Sequence, residues 1–116
     1  MNLNNHIITI LHNATGLNVS PDINEGNDDK YIIFTYTDEK PISYGDNKPI
    51  GDTAYLQIQL ITPKDFNYMS LKHLIRNALE ENDFNVTSIR SMLGDEFWGT
   101  EHIRQTVFEA NYTVSR

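Results

Sequence analysis

Apolar positions recur along this chain in two rhythms, and the switches between them mark out its elements. Leu3, Ile7, Ile10, Leu11 and Ala14 fall on one helical stripe, and Gly16 follows as a residue that tolerates the left-handed conformation ending helices. The spacing predicts a helix over about residues 2–14. From Leu17 to Lys30, Pro21, Gly26 and clustered Asn and Asp predict a loop, with a short extended piece at Leu17–Val19. "YIIFTYT", Tyr31 to Thr37, is β-branched and aromatic and reads as a strand.

Residues 38–51 carry prolines, glycines and charges of both signs, which predicts a flexible excursion between two strands. Strict alternation follows: Ala54, Leu56, Ile58 and Leu60 point one way, and Thr53, Tyr55, Gln57 and Gln59 the other. Pro63 lacks the donor to continue a ladder and ends that strand. A second helical stripe comprises Phe66, Leu71, Leu74, Ile75, Ala78 and Leu79, with Asp65 or Asn67 as cap and "ENDF" as its close. Phe84–Met92 and Ile103–Val114 read as the last two strands, joined by the turn Gly94–Glu101. The expected fold is one α+β domain of order α-β-β-α-β-β: an N-terminal helix and a four-stranded, mainly antiparallel sheet. The second helix covers one sheet face through Leu71, Leu74, Ile75 and Leu79, and the other face stays polar.

Composition narrows the function classes. Hydrophobic residues are 39% of the 116, below the ~45–50% usual for globular chains, a shortfall that burial against other subunits can supply. Without cysteine, disulfides and thiolate metal sites are excluded, and the chain suits a reducing cytosol. No apolar run reaches the ~20 residues of a membrane span, and no basic region precedes the apolar N-terminal positions as in a signal peptide. Asp and Glu number 16 against 9 Lys and Arg, a net charge of −7 that repels free duplex DNA.

No catalytic constellation emerges. There is no glycine-rich phosphate loop, no His-Glu-x-x-His and no Gly-x-Ser-x-Gly. His6 and His12 lie about 240° apart around a helix and share no face. Glu80 and Glu81 diverge by about 100° and cannot grip one substrate together. Asp95, Glu96, Glu101 and His102 resemble an oxygen-ligand set for a hard cation, but read as a solvated acidic turn; no cofactor and no metal is expected. Phe97 and Trp98 stand between Gly94 and Gly99, where an indole either folds back over the core or anchors a partner; Tyr44 in the 38–51 loop raises the same question. The face Thr53, Tyr55, Gln57, Gln59 carries no charge, unlike a face meant only for water, and suits contact with another protein.

The whole layout resembles the tail-terminator, or neck-terminator, proteins of long-tailed bacteriophages. "IITILHNATGLNVSPD" is similar to that family's opening amphipathic helix and "KYIIFTYTD" to its first core strand. "DTAYLQIQLITPKDFNYMSLKHLIRNALEENDFNV" resembles its strand–turn–helix portion and "HIRQTVFEANYTV" its closing strand, so the resemblance spans roughly residues 3–114. It implies a virion protein without catalysis, assembled in the host cytoplasm as a hexameric ring. The ring would cap the tail-tube protein and dock to the head connector, with DNA passing through its channel. The rival readings are a head-side neck protein and a small cytosolic ligand-binding α+β domain, which would need a pocket with convergent polar groups.

Overall fold

The computed structural model describes residues 3–23, 26, 29–44, 48–95 and 102–115, with side chains for all of these except 40–44, 48–50, 94–95, 102 and 114–115. Its elements run α1 (Leu3–Thr15), β1 (Val19–Pro21), β2 (Tyr31–Tyr44), β3 (Lys48–Pro63), α2 (Met69–Glu81), β4 (Asn85–Asp95) and β5 (His102–Ser115). The α+β class and the two helices agree with the sequence pattern, but the chain runs α-β-β-β-α-β-β instead of α-β-β-α-β-β, and its sheet is a mixed one of five strands in the order β1-β2-β3-β5-β4 instead of a four-stranded, mainly antiparallel one. The added strand is the extended piece after α1. It pairs parallel to β2, Val19 with Ile32 and Pro21 with Phe34. At three residues ending in Pro21 it is too short to show alternation, so only the tertiary pairing reveals it.

The 38–51 segment also departs from expectation. Asp38–Tyr44 and Lys48–Gly51 continue β2 and β3 as one antiparallel ladder, from Asp38 opposite Tyr55 to Tyr44 opposite Lys48. Pro41 stands opposite Asp52, past the stretch of β2 that β1 covers, so among the described residues β2 is an edge strand there, the position in a sheet where proline is tolerated. Bulges between Tyr36 and Asp38 and between Ile42 and Ser43 absorb the irregular sequence. This hairpin and the β4–β5 hairpin project from opposite ends of the sheet, giving a molecule 56 × 25 × 24 Å.

The core lies between one sheet face and the two helices. Leu56, Ile58 and Leu60 of β3 meet Ile32 and Phe34 of β2 and Phe108 of β5, roofed by Ile7 and Leu11 of α1 and Ile75, Ala78 and Leu79 of α2. Leu74 is not in this set. It is 43% exposed, because the inward stripe of α2 centres on Ile75 and Leu79, and Leu74 is rotated about 100° to its flank.

The helix ends follow local chemistry. Gly16 takes φ +74° and its N–H donates to the His12 carbonyl, closing α1 one residue later than the pattern implied. The Asn67 carboxamide oxygen accepts the Met69 N–H at the start of α2, at 3.2 Å, while Tyr68 occupies the cap position without a side-chain bond. At the other end Asp83 is left-handed, φ 68°, and the Phe84 N–H reaches back to the Leu79 carbonyl at 2.9 Å. Tyr36 ties α1 to β2: its hydroxyl donates to the Asn4 side-chain oxygen. Burial first, and the Glu39 carboxylate second, raise its phenol above the ordinary value.

Three outcomes follow from this packing. Ile75→Ala should cost about 2–5 kcal/mol in denaturant unfolding, whereas Leu74→Ala should cost below about 1 kcal/mol. Asp83→Gly should stabilise by about 0.5–1 kcal/mol, since glycine carries no left-handed penalty and the change removes a negative charge from a helix C-terminus. Because folded Tyr36 keeps its proton at pH values where the unfolded chain releases it, stability should fall as pH rises above about 10. Tyr36→Phe should flatten that alkaline limb in a pH series of thermal melts.

Candidate functional site: the uncovered sheet face

Antiparallel register fixes which side chains share the face away from the helices. Row by row across β2, β3, β5 and β4 it reads Tyr31, Ile61, Gln105, Met92; then Ile33, Gln59, Val107, Arg90; then Thr35, Gln57, Glu109, Ser88. Beyond these lie Tyr55, between Asp38 and Asn111, and Thr53 opposite Thr113, whose hydroxyls stand 3.2 Å apart. No helix among the described residues packs on this side.

The face is less polar than the sequence pattern implies. Ile61 and Val107 are only 4% and 6% exposed although no second layer covers them. Each sits between longer neighbours in register, Tyr31 and Gln105 around Ile61, and Gln59 and Arg90 around Val107. The face therefore combines an apolar strip with hydrogen-bonding groups.

Of the residues singled out by sequence, Tyr55, Gln57 and Gln59 come together here, each half-buried. The Gln59 Nε2 donates to the Gln57 Oε1 at 3.0 Å, which holds the two amides side by side. Arg90 and Glu109 supply the charges of the central rows and pair with each other at 3.2 Å, so those rows are neutral. As a surface pair this contributes at most about 1 kcal/mol, and its effect is to cancel charge rather than to stabilise. A hollow of about 230 Å³ opens on this side, lined by Thr37, Tyr55, Thr87 and Glu109, with Leu56 and Ala110 at its floor.

Tyr44 lies on the β2–β3 ladder opposite Lys48, with its side chain outside the described residues; Phe97 and Trp98 lie outside them altogether. The candidate cation set also falls there, Glu96 and Glu101 entirely and Asp95 and His102 by their side chains. Among the described residues no group of three or more His, Asp or Glu is arranged to hold a metal ion. Two histidines have packing partners instead: His6 stacks with Phe84 at 6.1 Å and meets Tyr112 at 6.0 Å, and His12 Nδ1 bonds the Leu17 carbonyl at 2.9 Å. Glu80 pairs with Arg76 one helical turn earlier at 2.9 Å.

Alternation along the last strand already set Val107 with Glu109, Asn111 and Thr113, but sequence reasoning missed Ile33 and Ile61 as members of this face. Ile33 and Ile61 read as parts of apolar runs, "YIIF" and "LIT", in which the inward and outward residue look alike. The register was the only available signal. No protein-family model matches this chain, and no curated protein matches it either.

Proposed function

We propose that this chain is a non-enzymatic assembly protein of a bacteriophage virion, forming a ring that ends the tail tube and joins it to the head connector. What carries the reading is the neutral face centred on Gln57 and Gln59, with half-buried Tyr55 beside it and the apolar strip of Ile33, Ile61 and Val107 within it. In a chain of net charge −7, self-association is opposed by repulsion everywhere the acids are dense. Neutral central rows with half-buried amides are where copies can meet at least electrostatic cost, through the mixed polar and apolar contacts usual at interfaces. The resemblance of the strand–turn–helix portion supplies the particular assembly. The ring partners are then copies of itself, the tail-tube protein and the neck.

The reading is tested by electron microscopy of the purified chain, alone and with tail tubes. Rings of about six subunits should form at high concentration or on tube ends. Gln59→Glu should change monomer stability by less than about 1 kcal/mol yet abolish rings, because it places an unpaired charge in the contact. Trp98→Ala should likewise leave the melting curve intact and weaken assembly. Monomers at every concentration, with no decoration of tubes, would remove the basis for the proposal.

A further inference from the structure

The other side of the sheet, beside the turn that leads into α2, holds a polar cluster that the assembly reading does not use. Thr62 of β3 and Arg104 of β5 are register partners, so their side chains leave the same face with Cβ atoms roughly 5 Å apart. Each carries a buried atom without a hydrogen-bond partner, Thr62 Oγ1 and Arg104 Nε, and Thr62 is only 1% exposed. In the adjacent row the hydroxyls of Ser91 and Thr106 are 3.2 Å apart and satisfy each other. The Arg104 guanidinium lies over the Tyr68 ring, 4.7 Å from its centroid. Among the described residues no carboxylate stands within ion-pair distance of it, in a chain with 16 acidic residues.

Buried donors are ordinarily paired, and leaving one unmade is costly. Two such atoms on register partners of one strand pair can share one acceptor. We propose that Thr62 and Arg104, with Tyr68 holding the guanidinium plane, form a binding site for a carboxylate. The guanidinium offers a planar fork that matches a carboxylate, and the threonine hydroxyl directs a further donor at the same oxygen. One guanidinium fork, with no glycine-rich loop beside it among the described residues, matches the two oxygens of a carboxylate. The carboxylate is either a free small acid or an acidic side chain of a second copy, reached through the partly exposed end of Arg104. The site lies on the opposite sheet face from Gln57 and Gln59, and it stands whether or not the chain builds rings.

The test follows the Arg104 Nε–H resonance of the full ¹⁵N-labelled chain during additions of sodium acetate, with sodium chloride as the ionic-strength control. A saturable shift with acetate and none with chloride is expected. Thr62→Val, nearly the same shape, should weaken the acetate response about tenfold, the worth of one hydrogen bond to a charged group. The same variant should raise the acetate-free Tm by roughly 3–8 °C, since it removes an unsatisfied buried hydroxyl. Arg104→Lys should lose the rise in Tm that acetate gives the unsubstituted chain. If the resonance also moves with protein concentration alone and acetate reverses the self-association, the ligand is a carboxylate of a second copy. Equal shifts with chloride, or no shift with acetate or protein concentration, overturn the site. So does a Thr62→Val chain that melts lower and responds to acetate unchanged.

Discussion

The period-two alternation of β3 is the constraint on which the rest of the molecule depends. This strand occupies the centre of the sheet, paired along most of its length with β2 on one side and β5 on the other. Its inward residues Leu56, Ile58 and Leu60 are fully buried beneath both helices, while Tyr55, Gln57 and Gln59 must emerge on the opposite side. A slip of one residue would send three large apolar side chains into water and three polar ones into the core, so the register of the whole sheet is held by this one strand. The same alternation that builds the core therefore builds the candidate interface.

The two ends of the molecule follow from how the neighbouring strands continue past that core. β2 and β3 run on together beyond the helices at one end, and β4 and β5 do so at the other. Pairing there is made by backbone donors and acceptors, which every residue but proline supplies whatever its side chain. The 38–51 segment, with its prolines and mixed charges, is therefore compatible with a ladder despite reading as a loop.

Charge is distributed with the same logic. The central rows of the uncovered face cancel their charge through Arg90 and Glu109, although the chain as a whole carries −7. Helix α2 shows the ordinary alternative, with Arg76 and Glu80 paired on an exposed flank. Arg104 departs from both patterns: it has an aromatic ring against it and its buried Nε has no acceptor, with the equally unpaired hydroxyl of Thr62 as its register partner. An unpaired buried donor of this kind carries a free-energy cost that a hydrogen-bond acceptor placed against it would remove.

Much of the fold was written into the sequence wherever a long, regular pattern met an unambiguous stop. The stripes of α1 and α2, the alternation of β3, the left-handed glycine at position 16 and the proline at 63 are local signals, and local chemistry decided them. The neutral face of Tyr55, Gln57 and Gln59 was legible for the same reason, because alternation assigns faces without knowledge of partners. Tertiary structure alone decided the rest. The parallel pairing of Val19–Pro21 depends on where a distant strand lies, and three residues carry too little pattern to announce it. The exposure of Leu74 depends on how α2 is rolled against its neighbours, which a stripe two residues too wide cannot specify. Ile61 became part of the outer face, and Thr62 came to stand opposite Arg104, through cross-strand register, a relation between segments roughly 40 residues apart that no local sequence encodes.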